Sequence, residues 1–73
     1  MIKARVTLIL FLQEHDPVSF RTDVLALTRE PQWVFDQAVE TANRALDALT
    51  QPRPHQIELG SIEWVATLKG NRM

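Results

Sequence analysis

The sequence PQWVFDQAVETANRALDAL, residues 31–49, decides the fold because its apolar residues recur every three or four positions. Those apolar positions are Phe35, Ala38, Val39, Ala42, Ala45, Leu46 and Leu49. At about 100° per residue they cover roughly one third of a helix circumference, so the pattern predicts one amphipathic helix with its apolar face on a core. Pro31 suits the first turn of that helix, and the prolines at positions 52 and 54 prevent it from continuing.

The segments on either side of this helix have the composition and alternation of β-strands. Residues 3–13 are apolar on both faces at their centre, which predicts a central strand. Residues 14–20 contain Pro17 and are predicted to form a connection. Residues 22–28 are predicted to form the second strand. Residues 57–69 are predicted to form a third strand, in which the apolar positions change parity. A β-bulge at Gly60-Ser61 would restore a single apolar face.

The order of these segments predicts an α+β fold of the ββαβ type. A right-handed crossover through the helix places the third strand beside the first. The sheet is then three-stranded and mainly antiparallel, in the order 2-1-3, with the helix packed on one face. The central position of the first strand explains why it is the most apolar segment of the chain.

Length and composition limit the classes of function. The 73 residues suffice for one domain with a small core, and without cysteine no disulfide can stabilise it, so association with a second subunit is favoured. The absence of cysteine also favours a cytoplasmic location. The apolar run at residues 6–12 is too short to span a membrane. A net charge of −1 predicts no general attraction to nucleic acid, so an electrostatic function requires local clustering.

Two apolar surfaces are left over once the helix covers one face of the sheet. Trp33 lies about 180° from the centre of the helical stripe, so it anchors a partner, folds over the connection at residues 14–20 or tolerates partial exposure. Trp64 follows the strand alternation into the core. The uncovered face of the sheet carries Thr7, Ile9, Phe11, Val65 and Thr67. An apolar sheet face usually marks a partner, which predicts a homodimer or higher oligomer through this face.

Basic residues collect at the end of the sheet where the helix begins. They are Lys3, Arg5, Arg29, Lys69 and Arg72. The N-terminus of the helix adds free N–H groups there, so the cluster is a candidate contact for an anion or for nucleic acid. The alternative interpretation is that these charges only keep the strand ends solvated, with Glu30 offsetting them.

The opposite end of the sheet gathers Glu14, His15 and Asp16 with Arg53 and His55. The two histidines are weak candidates for a metal or acid–base site, because neither their spacing nor their proline-containing loops match a known ligand pattern. No nucleophile motif or glycine-rich phosphate loop is present, so no enzyme activity, metal or cofactor is expected.

The leading hypothesis is therefore a small non-enzymatic protein–protein interaction module, a homo-oligomer that regulates or inhibits a larger protein. Compact chains of this kind, without cysteine or motifs, are often encoded by phages or mobile elements. The alternative is a nucleic-acid-binding regulator that uses the basic end of the sheet.

Overall fold

The computed structural model describes residues 1–67, without the side chains of residues 66 and 67. The strands are β1 (Ile2–Phe11), β2 (Val18–Ala26) and β3 (Gln56–Thr67), and the helix α1 is Pro31–Ala48. The sheet order is β2-β1-β3, and both neighbours pair antiparallel with β1. The predicted α+β fold, its ββαβ order and its central first strand are confirmed.

The core lies between one face of β1 and one face of α1. Alternate residues of β1 are buried, and Ala4, Val6 and Leu8 have no exposed surface. The helix contributes Val34, Ala38 and Ala42, also fully buried. Partly buried side chains surround this centre: Phe20, Phe35, Val39, Leu46, Ile57, Ile62 and Trp64. The small alanine side chains let the helix approach the sheet closely, and α1 packs mainly on β2 and β1 and least on β3.

The helix ends one residue before the predicted end, and for a different reason. Leu49, placed in the predicted apolar stripe, is the C-cap residue and is 66% exposed. Thr50 follows with a φ of 54°, its N–H donates to the Asp47 carbonyl, and the Gln51 N–H donates to the Leu46 carbonyl. These bonds form a Schellman motif, so α1 stops before the prolines are reached. At the other end of the helix, Val34 joins the buried face although the predicted stripe omitted it.

The second strand begins four residues earlier and ends two residues earlier than the predicted 22–28. It pairs with β1 without interruption from Leu10 opposite Val18 to Ile2 opposite Ala26. Its even-numbered side chains face the helix, and Val24 and Ala26 are buried there. The connection moves from the predicted residues 14–20 to residues 12–17, because β1 ends at Phe11 and β2 already begins at Val18.

The third strand is irregular. The predicted bulge is present: Thr7 lies opposite Ser61 and Leu8 opposite Leu59, which leaves Gly60 as the extra residue. A second register shift lies between Lys3 and Ala4 of β1, where Val65 is the extra residue on β3. The two edge strands of the sheet therefore differ, since β2 is regular and β3 is twice interrupted.

Candidate protein interface

An apolar groove of about 580 Å³ lies where β2 ends and α1 begins. Its lining residues are Met1, Leu25, Leu27, Thr28, Glu30 and Trp33. Leu27 is 81% exposed, Leu25 51% and Trp33 44%. Apolar side chains of this size are thus gathered at one edge of the sheet, where water reaches them.

The local sequence explains why these side chains stay outside the core. Alternation along β2 buries Val24 and Ala26, so Leu25 faces the opposite side of the sheet. Leu27 follows the last residue of the strand. The burial of Val34 turns Trp33 to the flank of α1, where it reaches the end of β2 rather than the connection at residues 12–17. The sequence pattern indicated Trp33 as an interface residue but neither leucine. Leu25 alternates in step with the polar residues of β2, and this is the signal in the sequence that it faces away from the core.

The sheet face away from the helix, here called the open face, is mixed in character. Thr7, Ile9 and Phe11 lie on it and are half-buried. Their direct cross-strand partners are polar or charged: Ser19 and Arg21 on β2, and Gln56, Glu58 and Ser61 on β3. On the same face, Asp23 of β2 and Glu63 of β3 lie opposite Arg5. Val65 is 39% exposed in the second bulge. Thr67 pairs with Ile2 through its backbone, and its side chain lies outside the described part of the chain.

The basic residues at the helix-start end have partners within the described chain. Asp23 accepts both Lys3 Nζ at 3.4 Å and Arg5 Nε at 3.3 Å. The Arg29 guanidinium lies 6.0 Å from the centre of the Trp64 ring, a cation–π distance. Lys69 and Arg72 lie outside the described residues. One aspartate thus offsets much of the charge that Lys3 and Arg5 bring to this end.

The opposite end holds a second groove of about 500 Å³, to which His15, Asp16 and Arg53 contribute. His55 is placed by its backbone, whose N–H donates to the Phe11 carbonyl at 3.0 Å. Within residues 1–67, no group of three or more histidine or acidic side chains is positioned to hold a metal ion.

A salt bridge at this end joins the loop after the helix to the last turn of α1. Arg53 Nη2 donates to Asp47 Oδ2 at 2.7 Å, and Arg53 Nε donates to Asp47 Oδ1 at 3.2 Å. These hydrogen bonds lower the pKa of Asp47 below its ordinary value and raise the pKa of Arg53. Both groups are exposed, so the pair contributes little to stability.

Comparison with known proteins gives a limited likeness. No family model matches the sequence, and no solved structure matches it. Over 48 residues, 63% of this chain, it is 35% identical to the O-phosphoserine--tRNA(Cys) ligase of Methanothrix thermoacetophila. The matched part is only 9% of that ligase. No helix within residues 1–67 is both long and apolar enough to cross a membrane.

Proposed function

We propose that the protein is a small non-enzymatic interaction module that associates with a second copy of itself and acts as an accessory regulator or inhibitor of a larger protein. The observation that supports this role is the exposed groove around Leu25, Leu27 and Trp33. Contiguous apolar surface that remains in water usually marks a protein contact. Tryptophan is also enriched among the residues that dominate binding energy at interfaces. The cysteine-free composition favours a cytoplasmic site of action.

A second copy is the favoured partner because the chain has few other means of stabilisation. A 73-residue chain buries a small core and contains no cysteine for a disulfide. The groove and the open face, with Thr7, Ile9, Phe11, Val65 and Thr67, are the two candidate contact surfaces. The groove is favoured because the charged neighbours on β2 and β3 would have to be desolvated if the open face were buried.

Light scattering coupled to size exclusion tests self-association. The expected mass of the wild type at micromolar concentration is twice the 8.4 kDa of one chain. Leu25→Ser should lower the mass toward that of one chain, because it removes apolar surface from the groove. Leu59→Ser is the matched control, since Leu59 is 45% exposed on the opposite edge strand. A wild-type mass of 8.4 kDa over the whole concentration range would contradict the proposal.

Nucleic-acid binding is the second candidate, supported by the basic end and by the likeness to part of a tRNA ligase. It ranks lower because Asp23 pairs with Lys3 and Arg5. Fluorescence polarisation with labelled RNA and DNA in a salt series tests it, since phosphate contacts weaken steeply as salt rises. Salt-sensitive binding that Lys3→Gln weakens would favour this candidate. Absent or salt-insensitive binding would remove it.

A further inference from the structure

We propose that two copies join through the outer edge of β2, antiparallel, with Thr22 of each copy on the two-fold axis. Two three-stranded sheets then form one six-stranded sheet, with β2 of each copy at the centre. This inference rests on the proposed self-association and specifies its geometry. It follows from the regular backbone of β2, from the charges on that strand, and from the position of the apolar groove.

The first observation is that β2 is the more regular edge of the sheet. An edge strand exposes unpaired N–H and C=O groups, and proteins commonly block such edges with bulges, prolines, short strands or charged side chains. Both edge strands carry charged residues, so the difference between them lies in the backbone. All nine residues of β2 pair in register with β1, and the strand contains no proline. The other edge, β3, carries two register shifts. A second strand therefore fits the β2 edge better than the β3 edge.

The second observation is that the charges of β2 are complementary to themselves. In an antiparallel pair, two opposed residues either both direct their N–H and C=O groups toward the other strand or both direct them away. A two-fold axis between identical strands must therefore lie where a residue faces its own copy. An axis at Thr22 places Arg21 opposite Asp23 of the second copy, and the pair occurs twice. An axis at Arg21 or Asp23 would instead set like charges face to face, which is destabilising.

The two charged side chains are suited to this pairing. Within the described part of the chain, Arg21 has no ion-pair partner. Asp23 is 41% exposed and is held on the open face by Lys3 and Arg5. Axes at Phe20 or Val24 would set Arg21 opposite Ser19 or Asp23 opposite Leu25, so neither forms an ion pair. The Thr22 register is therefore the one that the charges select.

Third, this register brings apolar residues of the second copy beside the groove. With Thr22 on the axis, Val18 of one copy lies opposite Ala26 of the other, and Ser19 lies opposite Leu25. Pro17 and Val18 of the second copy then come beside the groove that Leu27 and Trp33 line. Val18 is 45% exposed in the single chain, so the arrangement shields apolar surface on both copies.

Disulfide trapping tests the register directly. The chain has no cysteine, so each introduced thiol is unique. Thr22→Cys should oxidise to a covalent dimer, because residues opposed on an antiparallel pair have Cα atoms about 4.5–5.5 Å apart, within reach of a disulfide. Ser19→Cys is the control on the same strand. In this register its two copies are six residues apart along the strand, about 20 Å, and should not cross-link.

Charge reversal gives an independent test. Arg21→Glu sets a carboxylate opposite Asp23 of the second copy at both symmetry-related positions, and the dimer should weaken about tenfold or more. Glu58→Arg reverses a single charge on the open face of β3, and it should leave the dissociation constant of the dimer unchanged. Circular dichroism of each variant verifies folding.

The outcomes separate the geometry from the proposed function. The wild type could form a dimer while Thr22→Cys fails to cross-link, or while Glu58→Arg weakens association more than Arg21→Glu. Either result would overturn pairing through the β2 edge and leave self-association standing. A monomeric wild type would overturn both.

Discussion

Replacement of Gly60 by alanine tests the bulge that aligns the two halves of β3. A Cβ at residue 60 would lie 2.9 Å from the backbone oxygen of Thr7 and 3.4 Å from Thr7 Cγ2. The first contact is shorter than a carbon and a carbonyl oxygen tolerate, and backbone cannot rotate away as a side chain can. The strands must therefore shift at the point where the register changes.

The expected loss of stability follows from two opposing effects. Overpacking of this kind costs about 1–3 kcal/mol. Alanine restricts the unfolded chain more than glycine does, which returns about 0.4–1 kcal/mol. The net expectation is a loss of about 1–2 kcal/mol in the free energy of unfolding.

Urea denaturation followed by circular dichroism measures this loss, with all variants at one protein concentration because association adds to apparent stability. Ser61→Ala is the control, since it changes the neighbouring exposed residue without adding a Cβ. A Gly60→Ala variant as stable as the wild type, with an unchanged denaturant slope, would refute the close approach of the two strands.

Two further predictions concern the end of α1. Thr50→Gly should raise the free energy of unfolding by about 0.5–1 kcal/mol, because the left-handed backbone at φ 54° costs a β-branched residue more than it costs glycine; a lower melting temperature would contradict this. Because the pKa of Asp47 is lowered in the folded chain, its pairing stabilises the fold at pH values above 3.8, the ordinary pKa of an aspartate. This contribution disappears as the pH falls through the lowered pKa. Asp47→Asn should therefore melt slightly below the wild type at pH 7 and match it in strong acid, whereas a difference that grows toward low pH would contradict the Arg53 pairing.

The fold was predictable where one periodic signal dominated. The apolar spacing in α1 predicted the helix on which the topology depends. The change in parity of the apolar residues of β3 at Gly60 predicted the first bulge. The end of the helix was not predictable from the prolines, because backbone hydrogen bonds with Thr50 in the left-handed region close it earlier. Pro17 obscured the start of β2, since a proline just before a strand looks the same in sequence as a proline inside a loop.

The candidate interface was only partly predictable, because it depends on register. Trp33 stood out from its position on the helix alone. Leu27 did not, since the predicted second strand included it as an ordinary strand residue. The ion pairs of Asp23 with Lys3 and Arg5 join separate strands, and only the observed pairing brings them together.

Oxidation of the Thr22→Cys variant, followed by electrophoresis without reducing agent, tests association and geometry together. The β2-edge dimer predicts a covalent species of twice the 8.4 kDa chain that forms readily at micromolar concentration, while Ser19→Cys stays single. A Thr22→Cys protein that remains a single chain under oxidation, or a Ser19→Cys protein that cross-links equally well, would contradict it.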